Sequence, residues 1–186
     1  MSISKNAASV TVDINFTPLN ESHFSLLLKW LETPHVKKWW DENINFTKQM
    51  IHDKYISYTL GYKIDKGYKK PIYPFIINVG CEPVGYIQYY NFYDFPRDYD
   101  IILQSLPNSL AALDLFIGES SYTGQGLGVK ILALFTTNYV FEKFDNCFVD
   151  PENSNYSAIT TYERASFEKI ESSNKNVKWF IKRNSS

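Results

Sequence analysis

Two features of the chain have the residue types and spacing to do chemistry. One is an alternating glycine triplet, Gly124, Gly126 and Gly128; the other is Asp114, the aspartate ten residues before it. Beyond the glycines, apolar residues fall at helical steps, Leu127, Ile131, Leu134 and Phe135, so the spacing predicts a helix that begins at the triplet. The first N–H groups of a helix have no internal partner and stand at the positive end of its dipole. Residues without side chains let phosphate oxygens approach them closely. The loop is therefore a candidate anion site, against the plainer reading of a glycine-rich turn with no ligand. Asp114 lies in a strand-like run, Leu113 to Glu119, where its carboxylate either holds a cationic group or faces solvent across the pleat.

Two familiar phosphate loops are excluded by spacing: the P-loop and the dinucleotide fingerprint both require glycine five residues after Gly124, where Val129 stands. What remains, G-x-G-x-G between a strand and a helix, resembles the acetyl-CoA pyrophosphate loop of the GCN5-related N-acetyltransferases, the GNAT superfamily, usually [QR]-x-x-G-x-[GA]. Gly126 and Gly128 match its last two positions, and Thr123 stands where Gln or Arg is usual. The resemblance implies an α/β chain with a mixed central sheet and helices on both faces. It also implies that acetyl-CoA is held by Thr123, Gly124, Gln125, Gly126, Leu127, Gly128 and Val129.

A second segment resembles the same superfamily. After a short strand, Cys147 to Pro151, the run Glu152 to Phe167 reads as a helix with Asn155 and Tyr162 seven residues apart on one face. The resemblance implies that Asn155 bonds the pantetheine arm and that Tyr162 points at the coenzyme sulfur. Where the superfamily usually ends this helix with glycine in the left-handed conformation, this chain has Ser166, which would cost on the order of 1 kcal/mol there.

The opening segment, Trp30-Leu-x-x-Pro34-His-Val-x-x-Trp39-Trp40, is similar to the aminoglycoside 6′-N-acetyltransferase branch and to siderophore-forming acyltransferases of the superfamily. In the first group this tryptophan pair borders the acceptor pocket; the plain alternative is that Trp39 and Trp40 plug an open end of the domain. The run around Asp114 is similar to a segment of the same branch in which the aspartate sits beside the acceptor amine. Asp150 matches an acidic position of that site. The loop between Tyr93 and Ser109 adds Asp94, Asp98 and Asp100, of which Asp94 and Asp100 join the candidate acceptor contacts, although loop acids are commonly just solvated.

An ammonium has no lone pair, so a carboxylate must hold it while its proton leaves. With reference values of about 3.9 for Asp and about 10 for an alkylammonium, Asp114 is expected to orient the amine and pass its proton through water. Tyr162 can donate to the departing thiolate. By the resemblance, a strand N–H near Phe116 or Ile117 meets the developing oxyanion. Transfer is then direct, without a covalent enzyme intermediate. The implied acceptor is a polycationic primary amine such as the 6′-amine of an aminoglycoside. Other amines or hydroxylamines (a siderophore precursor, a polyamine, a protein N-terminus) stay open, as does a coenzyme-binding sensor without catalysis.

Composition narrows the rest. The 186 residues, 44% apolar, suffice for one core, so a single domain over 1–186 is expected. Nineteen Lys+Arg against 20 Asp+Glu leave no basic footprint for nucleic acid. No stretch approaches the roughly 18 apolar residues of a membrane span, and the start lacks a secretion signal; a cytoplasmic protein, monomer or homodimer, is expected. Cys81 and Cys147 lack metal or disulfide spacing and read as buried thiols, and no metal site is expected. The 17% aromatic content suits either a groove lined with rings or ordinary core.

Along the chain, Val10, Val12, Ile14 and Phe16 alternate as a strand, and Asn20 caps a helix burying Phe24, Leu27, Leu28 and Leu31. That helix ends before Pro34. Thr47 to Tyr58 reads as a helix with Met50, Ile51 and Tyr55 inward. Strands at 72–78 and 83–92 flank a turn with Gly80, and a last strand covers 177–181.

Overall fold

In the computed structural model, which describes residues 12–95, 106–172 and 175–184, side-chain caps set the helix starts. The Asn20 side chain accepts from the Ser22 amide and opens a 3₁₀ turn, Glu21–His23, that runs into α1, Phe24–Leu31. Pro34 occupies the first turn of α2, Pro34–Trp40, where its missing N–H costs nothing. The Thr47 side chain accepts from Met50 and starts α3, Lys48–Thr59.

Among the described residues, seven strands form one mixed sheet. In chain order they are β1, Ile14–Pro18; β4, Tyr73–Val79; β5, Glu82–Asn91; β6, Leu110–Ile117; β7, Asn146–Val149; β8, Glu168–Ile170; and β9, Trp179–Arg183, arranged β1-β4-β5-β6-β7-β9-β8. A separate hairpin, β2 (Tyr62–Asp65) with β3 (Tyr68–Pro71), lies between α3 and β4. Every pairing is antiparallel except β6 with β7. That parallel pair shares only three rungs, from Leu110 with Asn146 to Ala112 with Phe148. Beyond Ala112, β6 runs on to Ile117 without β7 beside it, so the sheet opens in its middle.

Strand alternation sends the two sides of β5 and β6 into different cores. Tyr86 and Phe116 pack with Leu27, Trp30, Leu31, Ile51 and Tyr55 of α1 and α3. Ile87, Tyr89 and Leu113 pack with Leu127, Ile131 and Phe135 of α4, Leu127–Phe135, and with Ile159 and Tyr162 of α5, Tyr156–Arg164. Helices thus cover both faces, as the resemblance implies, and each fully buried large apolar side chain contributes roughly 1.5–3 kcal/mol.

Several expectations change. Met50 is exposed rather than inward, because the inner stripe of α3 runs through Tyr58 instead; in α4 the helically spaced Leu134 is exposed and Leu132 is buried. Trp30, unassigned in the sequence, is fully buried, while Phe24 and Leu28 are only partly so. Cys81 is exposed on the β4–β5 turn; only Cys147 is buried. Val10 lies outside the described residues. No helix among those described is long and apolar enough to cross a membrane.

Candidate active site

Asp114 sits directly across from Gln88 in the β5–β6 register. Its Oδ2 accepts from Gln88 Nε2 at 2.9 Å, and Gln88 Oε1 accepts from the Tyr86 hydroxyl at 2.6 Å. Asp114 and Gln88 open on a cavity of about 280 Å³. Trp39 and Trp40 of α2, with Lys54, Tyr55 and Tyr58 of α3, form one side; Lys63, Ile72, Tyr90 and Phe95 complete the lining. Asp114 therefore faces a lined pocket rather than open solvent, and both tryptophans join it. Trp40 is wedged edge-on against Phe116, 4.9 Å between ring centres, and Lys38 Nζ lies 4.5 Å over Trp39.

The pocket's polar groups are unevenly matched. Lys54 pairs with Asp41 at 3.3 Å, and Lys63 Nζ lies 4.9 Å over the Phe95 ring. The Tyr55 hydroxyl is buried with no hydrogen-bond partner among the described residues; Trp40 lies close enough to favour its phenolate, outside hydrogen-bond geometry. Burial, then the charges of Tyr58 and Asp41, push the Tyr55 phenol up.

The other acids separate. Asp94 pairs with Lys70 at 3.3 Å and does not line the cavity; Asp98 and Asp100 lie outside the described residues. Asp150 follows β7 off the cavity wall, yet its charge reaches Tyr162, as does that of Asp114. Tyr162 is buried on α5, and burial first, then these two carboxylates and Cys147, hold its phenol well above the usual tyrosine range. It keeps its proton at neutral pH.

On the other side of β6 the chain runs through a 3₁₀ turn, Ser120–Tyr122, into the glycines. Thr123 Oγ1 donates to the Ser120 carbonyl at 2.8 Å, and Gln125 Nε2 donates to that of Ser121, so both side chains brace the turn. Gly124 and Gly126 adopt left-handed φ of 73° and 74°. A Cβ on either would meet nothing within 4 Å among the described residues, so their faces are open. Gly126 caps α4 without a side-chain hydrogen bond, which leaves the first-turn amides, beginning with Leu127, Gly128 and Val129, as donors. An anionic diphosphate fits that donor set. Gly128 has a packing reason as well: a Cβ there would come within 2.9 Å of Thr161 Cγ2 on α5.

Asn155 caps α5, its Oδ1 accepting from the Ala158 amide at 3.1 Å. Gly118 N–H donates to Val84 of β5, so by alternation Phe116 N–H also turns toward β5. Leu115 and Ile117 turn theirs toward the opening beside β7. His35 Nε2 lies 3.0 Å from the Ile117 carbonyl and ties α2 to that end of β6. Sequence reasoning missed Gln88, Tyr55, Tyr58, Lys54 and Lys63. The inward polar residue between Tyr86 and Tyr90 was the one available sign of Gln88.

Comparison with known proteins gives the chain's family and fold. Residues 20–174 match the family model described as an acetyltransferase (GNAT) domain. The aminoglycoside N(6′)-acetyltransferases type 1 of Klebsiella pneumoniae and Serratia marcescens are each 26% identical over 160 residues, spanning 81% of this chain and 72% of theirs. The structure of AAC(6′)-Ib with coenzyme A and kanamycin shares the fold at a TM-score of 0.74 and 22% identity, covering 92% of this chain and 95% of that one. The aminoglycoside N(6′)-acetyltransferase of Legionella pneumophila does so at 0.63 and 21%, covering 93% of each. With an uncapped glycine-started helix, an opened sheet and this family match in place, the chain belongs to the GNAT acetyltransferases and is an acetyl-CoA-dependent N-acetyltransferase.

Proposed function

We propose that the chain acetylates a primary amine of an aminoglycoside, the 6′-amine, or of a similar polycationic acceptor, with that amine seated on Asp114. The observation that carries this reading is the Asp114 carboxylate opening on an aromatic-walled cavity. The relatives' aminoglycoside activity supports the acceptor class. Acetyl-CoA supplies an activated thioester. The first-turn amides of α4 and the open faces of Gly124 and Gly126 bind its diphosphate, and Asn155 keeps its amide group for the pantetheine arm. Trp39 and Trp40 wall the acceptor. Asp114 orients the amine and passes its proton to water. Ile117 N–H, facing the opening, offers the oxyanion donor, and Tyr162 Oη holds a proton for the departing thiolate.

Thiol release with a panel of aminoglycosides tests the acceptor. Turnover that vanishes in Asp114→Ala supports the reading; intact acetyl-CoA binding with no turnover of any member overturns the acceptor class. A second reading, an amine or hydroxylamine that also bears an acidic group, such as a siderophore precursor, is favoured by Lys54 and Lys63 on the cavity wall. Selective turnover of amino-acid-derived amines or hydroxylamines over aminoglycosides would put it first.

A further inference from the structure

We infer that Tyr86 and Gln88 are positioning residues that lock the carboxylate of Asp114 in its working orientation; this rests on the reading that Asp114 seats the acceptor amine. The three side chains share one face of adjacent strands: Gln88 lies across from Asp114, and Tyr86, two residues earlier on β5, lies across from Phe116.

A glutamine side chain is ambiguous in orientation, since its oxygen and nitrogen can exchange places by a half-turn. Tyr86 removes the ambiguity. Its phenol is fully buried, and burial holds it well above the usual tyrosine range, so it keeps a proton to donate. The acceptor is Gln88 Oε1 at 2.6 Å, which leaves the Gln88 amide to donate to Asp114 Oδ2 at 2.9 Å. The reversed amide would set its N–H group against the phenol's O–H, donor against donor, and its oxygen against the carboxylate, acceptor against acceptor. Neither partner is free to drift. The Tyr86 ring is stacked on Phe116 at 5.6 Å and meets Tyr55 and Trp40 edge-on, and Gln88 is buried.

The consequence is a carboxylate with one oxygen assigned. Oδ2 is held by the protein, so Oδ1 is the oxygen left for the acceptor's N–H, and the plane of the carboxylate is set before the acceptor arrives. Pre-set geometry of this kind lowers the barrier rather than merely tightening binding.

The test uses the full-length enzyme with whichever amine it turns over. Gln88→Met keeps volume and removes both hydrogen bonds; it is expected to lower kcat for the acceptor by about tenfold or more while leaving the KM for acetyl-CoA unchanged. Tyr86→Phe removes one oxygen and is expected to lower kcat by about threefold to tenfold, with no further loss when added to Gln88→Met. Losses that multiply in the double variant, or full kcat in Gln88→Met, overturn the proposal. An acceptor-independent readout is the Gln88 side-chain amide in the nitrogen–proton NMR spectrum, assigned by its disappearance in Gln88→Met. It is expected to shift in both Tyr86→Phe and Asp114→Asn. An unmoved resonance would sink the proposal even if no acceptor had been found, whereas a shifted resonance with no turnover would leave the network standing and remove only the amine-seating reading.

Discussion

The Phe167 amide donates to the Tyr162 carbonyl at 3.0 Å while the two rings lie 5.6 Å apart. With Ser166 donating to Glu163 at 3.1 Å, these bonds close the end of α5 in a Schellman arrangement with its usual apolar contact. The tyrosine assigned to the departing sulfur is thus fixed by the last turn of its own helix.

Ser166 holds φ at 65° in that turn, where an L side chain costs about 1 kcal/mol. Ser166→Gly is expected to raise stability by about that amount and the melting temperature by roughly 2–4 °C, with kcat unchanged. Thermal and urea melts beside an activity assay check this.

Tyr162→Phe removes a proton donor without altering the ring contact to Phe167. A fall in kcat of roughly a hundredfold is expected, with acetyl-CoA binding preserved by calorimetry. An unchanged kcat would move the donor role elsewhere.

Asp114→Asn keeps shape and discards charge. The acceptor kcat/KM is expected to drop by roughly a hundredfold or more, while coenzyme affinity stays at the native level. Loss of coenzyme affinity in this variant would mean that Asp114 supports the fold of the cradle instead.

The glycines separate by mechanism. Gly126→Val forces a branched residue into φ 74° and covers the open face, so coenzyme binding is expected to weaken by at least roughly tenfold. Gly128→Ala instead meets Thr161 Cγ2 and is expected to lower stability by about 1–3 kcal/mol through overpacking. Adding Thr161→Ser, which lacks that methyl, should restore most of the loss. Failure of the rescue would refute the packing account of Gly128.

Alkaline stability follows from the phenols. Tyr55, Tyr58, Tyr86, Tyr89 and Tyr162 are all held above the ordinary value of 10.0, chiefly by burial. The unfolded chain releases these protons near 10 and the folded chain keeps them, so their stabilising contribution is whole below about pH 10 and declines as pH rises above it. Melting temperature against pH, with phenolate absorbance followed in parallel, should show late, cooperative ionisation of these residues with unfolding. Early, non-cooperative ionisation of all the tyrosines would contradict the burial account.

Much of this was legible in the residues themselves. The glycine spacing, the Asn20 cap, the helix beginning at Thr47, Pro34, and the Gly80 turn each act within a few positions, so local pattern reveals them. Asp114 and Trp40 were identifiable as candidates, but their meeting required knowledge that α2 and α3 cover the same face of β6. Gln88 was hidden because its importance depends on register with β6, a pairing between residues 26 apart. The β2–β3 hairpin escaped because Tyr62 to Pro71, rich in lysine, has no buried face to impose alternation. Met50 shows the opposite failure: helical spacing admits two neighbouring stripes, and tertiary packing chose the other.

The exposure of Cys81 has a practical side. Cys147 is sealed in the core with its thiol pushed up by burial, so a thiol-reactive dye should attach to the native protein at one place. That place adjoins Glu82, whose Oε2 accepts from the Tyr122 hydroxyl at 2.6 Å, on the turn that feeds the glycines. The chain thereby carries its own attachment point for a fluorescent reporter beside the segment proposed to hold the diphosphate.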